Sequence, residues 1–166
     1  MMMERTALAS GVLQDARRAF QQDVLRRIPE HDTHGIGREF YAPDAYLCPW
    51  SGGAFFGLDH VRAFWRAMLE AGLSALRFEQ QWIEQSGNLA YEIGHYAMEY
   101  CPATAHEKAR EGIKVEGSYL AVLRELEDGV WRIVAEMYTC LGSGPAAAHV
   151  RMPARASGIT REGFAR

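Results

Sequence analysis

The stretch GIKVEGSYLAVLRELEDGVWRIVAEMYTC, residues Gly112 to Cys140, decides the fold. It reads as two long antiparallel strands joined by a tight turn at Glu127, Asp128 and Gly129. An Asp-Gly pair suits the positive φ angles of a short hairpin turn, and Val, Ile, Tyr, Leu and Trp fill the flanks at spacings a pleated sheet can use. In the second strand Trp131, Ile133, Ala135 and Met137 alternate as one apolar face, while Arg132, Val134, Glu136 and Tyr138 point the other way. In the first strand Lys114, Glu116 and Ser118 alternate with Ile113, Val115 and Tyr119, and from Leu120 to Leu123 both faces are apolar. A strand that starts half-wet and becomes dry on both sides belongs inside a sheet.

Upstream, Leu89 to Tyr100 forms the same kind of ribbon with Leu76 to Gln85, turning at Gly87 and Asn88. Its second strand alternates Leu89, Tyr91, Ile93, His95 and Ala97 with Ala90, Glu92, Gly94, Tyr96 and Met98. Both sets are mainly apolar, so the sheet is expected to be covered by helices on one face and by a second subunit, a helix or the chain's own tail on the other. Leu13, Ala16, Phe20, Val24 and Ile28 recur at helical spacing over Leu8 to Ile28, with Asp15, Arg17, Arg18 and Gln21 between them and Pro29 closing the segment. A short second helix, capped by Asp32 or Thr33, runs through Phe40. Tyr41 to Trp50 carries a short strand that stops at Pro49, and a glycine-punctuated loop with Phe55 and Phe56 follows. Asp59 then caps a third helix with Val61, Phe64, Trp65, Met68 and Leu69 as its apolar stripe, ending near Gly72. Residues 1–141 read as one domain. Residues 101–111 read as a polar connection and residues 142–166 as a Gly, Ala, Pro and Arg-rich tail.

Bulk properties narrow the function. A chain of 166 residues with 48% hydrophobic and 23% charged content is long enough to bury a core without staples. A net charge of -3 and a pI near 6.1 give no electrostatic footprint for nucleic acid or an anionic membrane. Cys48, Cys101 and Cys140 stand apart with no CxxC pair, so neither a zinc site nor a disulfide framework is signalled, and reduced thiols in a cytoplasmic protein are the default. His31 and His34 lie in a polar connection without a third ligand, and no metal is assigned. No apolar run is long enough for a membrane span. The sequence has no G-x-S-x-G, no phosphate loop and no zinc spacing, so the hydrolase-triad, nucleotide and metal classes drop, and no cofactor is expected.

Four stretches carry a resemblance: FYAPDAYLCP, GLDHVRAFWRAML, LAYEIGHYAM and GSYLAVLRELEDGVWRIVAEMY. Three helices followed by a long curved sheet in this order resemble the α+β, cone-shaped nuclear transport factor 2-like fold, the superfamily of ketosteroid isomerase and the SnoaL-like polyketide cyclases. In ketosteroid isomerase a carboxylate base near the end of the first strand works with a tyrosine of the first helix and a protonated aspartate on the penultimate strand. The base position falls here at Cys48 or Pro49, the tyrosine position near Val24 or Leu25 and the aspartate at Ala121, so none of the three matches. Steroid isomerisation by that mechanism is excluded. Scytalone dehydratase shares the fold, and its groups find no match in the first helix either.

The resemblance places Tyr119, Leu123, Val134, Glu136 and Tyr138 on the concave side of the sheet, with Tyr91, Ile93 and His95 from the neighbouring ribbon. It implies a small, largely apolar carbonyl compound in an internal cavity, acted on by an isomerase, cyclase or dehydratase through proton transfer. Glu136 is then the base, with His95 and Tyr138 or Tyr119 assisting. Tyr91, Ile93, Leu123, Val134, Trp50, Phe56 and Trp65 make up the expected substrate-binding set. If the strand carrying YEIG faces the other way, Glu92 becomes a pocket acid; otherwise it pairs with an Arg or Lys across the sheet. The alternative is a non-catalytic binding or accessory protein of the same fold, and either form is expected to be a homodimer through the outer sheet face.

Overall fold

A computed structural model describes residues 2–28, 30, 39–50, 52–101 and 113–141 of the chain. The hairpin that organises the sequence is present as β5 (Ile113–Glu125) and β6 (Trp131–Tyr138). Gly129 takes a φ of 73° at its turn, and Asp128 Oδ1 accepts from the Val130 amide at 3.0 Å, which fixes the turn locally. The second ribbon is β3 (Leu73–Ser86) and β4 (Leu89–Tyr100), closed by Gly87 at φ 62° and Asn88. With β1 (Tyr41–Cys48) and β2 (Phe55–Phe56) these strands make one six-stranded mixed sheet in the order β2-β1-β6-β5-β4-β3. Every neighbouring pair is antiparallel except β1 and β6.

Two helices are described, α1 (Met2–Arg27) and α2 (Leu58–Glu70). The latter begins at Leu58, so the expected cap at Asp59 is replaced. Gly57, with φ 84°, turns the chain out of β2, and its carbonyl accepts the Val61 amide at 3.1 Å. Asp59 instead sits in the first turn, 3.4 Å from Arg62. The expected second helix before residue 39, the histidine pair at 31 and 34, the connection over 102–111 and the tail over 142–166 lie outside the described residues. Among the described residues no helix is long and apolar enough to cross a membrane.

Both helices pack on one side of the sheet. Phe20 of α1 meets Tyr41 and Trp65 edge-on, with ring centroids 6.0 and 6.3 Å apart, and Phe64, Met68 and Leu47 close the same core. Burying one such large apolar side chain is worth roughly 1.5–3 kcal/mol.

Which strand residues face that core is where the sequence expectation needs correction. The buried set on β4 is Ala90, Glu92, Tyr96, Met98 and Tyr100, whereas Tyr91, Ile93 and His95 lie exposed on the outer, convex face. Register explains it: Glu92 pairs with Ala121 and Gly94 with Tyr119, and Ala121 and Tyr119 face the helices. On β6 the register shifts between Val122 and Leu123, leaving Val134 as an extra residue opposite them. Strict alternation therefore fails. Ile133, Glu136 and Tyr138 are all buried on the concave side, Met137 is exposed, and Val134 is half-buried at the bulge. Further shifts in β1 and β3 accompany the curvature of the sheet.

Gly94 is the point where the fold makes room for the site. A methyl group there would collide with the Glu79 carbonyl oxygen and stand 2.7 Å from the Tyr119 hydroxyl, so only a glycine lets the Tyr119 ring pass over β4. Gly94→Ala is expected to lower stability by about 1–3 kcal/mol in urea unfolding, through overpacking. A loss too small to measure would mean that Tyr119 does not occupy this path.

Candidate functional site

Arg17 sits on the apolar stripe of α1, four residues after Leu13 and three before Phe20, and reaches across to the sheet instead of out to water. Its Nε donates to Glu92 Oε1 at 3.1 Å and its Nη2 to Glu136 Oε1 at 2.9 Å. Glu92 and Glu136 are 1% and 2% exposed, so this is a buried three-member ion cluster tying helix to sheet. The guanidinium carbon also lies 5.0 Å from the ring centres of Phe20 and Phe78 and 5.2 Å from that of Tyr119, within reach of cation–π attraction.

Phenols complete the cluster. Tyr41 donates to Glu136 Oε2 at 2.6 Å and accepts from Trp65 Nε1 at 3.2 Å, while the Tyr119 hydroxyl donates to Glu92 Oε1. Burial, and after it the adjacent carboxylate, holds the Tyr41 and Tyr119 hydroxyls above the ordinary phenol value. Tyr138, beside Glu136, is raised for the same two reasons. Tyr41 and Tyr119 are therefore neutral donors, while the buried Tyr138 hydroxyl has no hydrogen-bond partner. Burial alone works against the charged form of Arg17, but Glu136 and Glu92 outweigh it and hold the guanidinium above its usual value. A single guanidinium thus faces two buried acid side chains.

The two acids differ in what they have left to offer. Both oxygens of Glu136 are already bonded, one to Arg17 and one to Tyr41. Glu92 uses only Oε1, and its buried Oε2 has no hydrogen-bond partner. Glu92, Tyr119, Phe78 and Gln80 line a solvent-open cavity of about 310 Å³, whose other wall is Gln14, Arg17, Arg18 and Gln21 of α1. A second cavity of about 200 Å³ also touches Arg17 and is mainly apolar, with Phe40, Leu123, Trp131 and Ile133 in its wall. Among the described residues no three His, Cys, Asp or Glu side chains converge in a way that could hold a metal ion.

Of the residues singled out from sequence, Glu136, Tyr119 and Tyr138 meet in the buried cluster, Trp65 joins it through Tyr41, and Leu123 lines the second cavity. Trp50 is half-buried and stacks on Tyr96 with centroids 6.0 Å apart. Phe56 is exposed at the sheet edge against Tyr46, and Val134 sits at the bulge. On the convex face Tyr91 donates to Glu84 at 2.6 Å, Ile93 is exposed, and the His95 ring lies 3.2 Å from Ser118 Oγ. The sheet separates His95 from Glu136, so the two do not share a lining. Arg17 and Tyr41 were not read from the sequence. The signal for Arg17 is its place on the stripe Leu13, Arg17, Phe20, Val24, where the neighbours at i−4, i+3 and i+7 are all buried.

Removing the cation should expose how much the cluster contributes. Arg17→Met strands two buried carboxylates, and a loss of about 3–5 kcal/mol is expected in denaturant unfolding. Adding Glu92→Gln and Glu136→Gln to that variant should recover most of it. If the single variant unfolds like the parent, the three groups are not an energetic unit.

No family model and no curated protein sequence matches the chain. Solved structures do. A conserved protein from Planctomyces limnophilus superposes with a TM-score of 0.64 at 13% identity, covering 79% of this chain and 98% of its own. A ketosteroid isomerase-like protein from Erwinia carotovora atroseptica gives 0.62 at 17% identity, covering 80% and 95%. A nuclear transport factor 2-like superfamily protein from Salmonella enterica serovar Typhimurium gives 0.58 at 15%, covering 80% and 96%. With the helices packed on one face of a curved mixed sheet, these likenesses show that the chain has the cystatin-like, nuclear transport factor 2-like α+β fold.

Proposed function

We propose that this chain binds a small polar organic molecule in the cavity between α1 and β3, β4 and β5, and acts on it by cofactor-independent proton transfer with Glu92 as the base. The observation that carries the reading is Glu92 itself, a cavity-lining acid whose buried Oε2 has no hydrogen-bond partner. A buried acceptor left without a donor is costly, and a ligand X–H group or a proton drawn from one relieves it. Arg17 and Tyr119 hold the other oxygen, which fixes the orientation of the carboxyl group. Glu136, with both oxygens engaged, positions Arg17 rather than meeting the ligand. The reaction class is an isomerisation, cyclisation or dehydration that begins by proton abstraction next to a carbonyl. The cavity's glutamines favour a more polar substrate than the sequence suggested.

The rival is a non-catalytic binder of the same fold, favoured by one observation: a single guanidinium ties up both acids, an arrangement that serves structure without chemistry. Solvent exchange separates the two. In D2O, the parent should speed deuterium incorporation next to the carbonyl of small hydroxyketones and ketones, read by proton NMR. Glu92→Gln should lower that rate by about 10²–10⁴-fold. A parent no faster than buffer would leave the binder. A Glu92→Gln variant as fast as the parent would remove Glu92 from the role.

The outer sheet face supports a homodimer as the chain's assembly. Trp82, Ile93 and Met137 are large apolar side chains exposed there, on a surface the helices do not cover. In sedimentation equilibrium the parent should be dimeric at micromolar concentration and Ile93→Lys monomeric. A monomeric parent would sink this assembly.

A further inference from the structure

We infer that the ligand taken by the α1 cavity carries a carboxylate, held by the guanidinium of Arg18. This rests on the reading of that cavity as a ligand site, and it names the charge of what the site takes. Combined with proton abstraction next to a carbonyl, it makes the substrate a short oxo acid.

The placement of Arg18 carries the inference. Gln14, Arg18 and Gln21 are spaced i, i+4 and i+7 along α1, so they form one row on the helix, and all three line the cavity. Two carboxamides thus flank a guanidinium, and each can turn N–H groups toward an oxygen anion. Across from that row β3 contributes Phe78 and Gln80, a ring and a third carboxamide, and no acid.

Burial separates the charges. Arg17, Glu92 and Glu136 are 7%, 1% and 2% exposed and are bonded to one another, so their charges are engaged in the interior. Among the described residues Arg18 is the other charged side chain of the lining, and it is 63% exposed. Its partner Asp15 stands 3.6 Å away, is itself 77% exposed and does not line the cavity. An exposed pair of that kind contributes little, and a guanidinium carries five N–H donors in a fork that fits a carboxylate two bonds at a time. Arg18 therefore keeps donors and charge for a ligand. An ammonium would meet it as a like charge, a neutral amide would gain hydrogen bonds without the charge, and a phosphate dianion would bring twice the charge that one guanidinium balances.

Isothermal titration of the full chain with 2-oxobutanoate, its neutral isostere 2-oxobutanamide and the cation 1-amino-2-butanone tests this, with amide chemical shifts of the labelled chain locating each complex. The acid should bind about tenfold more tightly than the amide, with the amine weakest. Arg18→Gln, at an exposed position, should remove that preference and leave the affinity for the amide unchanged. Gln80→Glu, which puts a negative charge on the facing wall, should weaken the acid at least threefold. An amide or amine that binds as tightly as the acid, with shifts at residues 14–21 and 78–80, would overturn the carboxylate assignment while keeping the cavity as the ligand site. Acid binding that Arg18→Gln leaves unchanged would overturn the assignment as well. Shifts confined to another part of the chain, or no binding of any of the three, would overturn both the assignment and the cavity reading beneath it.

Discussion

The described structure depends on one buried contact, the guanidinium of Arg17 set between Glu92 and Glu136. Most other contacts between the described helices and the sheet are apolar packing, which is strong but has little direction. An ion cluster in a low-dielectric core is different, because it tolerates only a narrow range of positions before charges are left uncompensated. It fixes where α1 crosses the strands. It also requires that β4 and β6 both present an acid inward at the same depth, and the register of Ala121 with Glu92 on one side and Glu136 on the other meets that demand.

The tyrosines make the cluster asymmetric. Tyr41, backed by the Trp65 indole, closes the second oxygen of Glu136, while Tyr119 shares the oxygen of Glu92 that Arg17 already uses. One acid thereby has both oxygens bonded, and the other, which lines a cavity, keeps one buried oxygen without a partner. Gly94 is part of the same arrangement, since a side chain there would block the path of the Tyr119 ring. A glycine, a tyrosine and an acid on adjacent strands thus act together, and none of the three would suggest a site alone.

The convex face follows a different rule. Tyr91, Ile93, Trp82 and Met137 are exposed there, and His95 faces the same way beside Ser118. In sequence this set resembles the concave one, because both alternate sets of β4 are rich in apolar residues. Hydrophobicity marks a buried strand but does not say which of two apolar faces receives the helices. That is why His95 and Tyr91 were expected in the lining and lie outside it, whereas Glu92 lies within.

The sequence by itself determined the two hairpins, α1, α2 and the fold, while Phe55–Phe56 reads as loop and forms the short strand β2. Gly87 with Asn88, and Asp128 with Gly129, dictate two hairpins through local backbone chemistry; the stripes of α1 and α2 dictate helices through their period; and the order of these elements resembles the fold that the solved structures share. Only the tertiary structure decided the site. The extra residue at Val134 breaks the alternation that places Ile133 opposite Glu136, and a bulge depends on the partner strand, not on the strand's own residues. The pairs that matter most, Arg17 with Glu92 and with Glu136, span 75 and 119 residues. No local period carries information over that distance. An arginine on an apolar stripe becomes a buried anchor only when two carboxylates arrive from strands far along the chain to balance its charge.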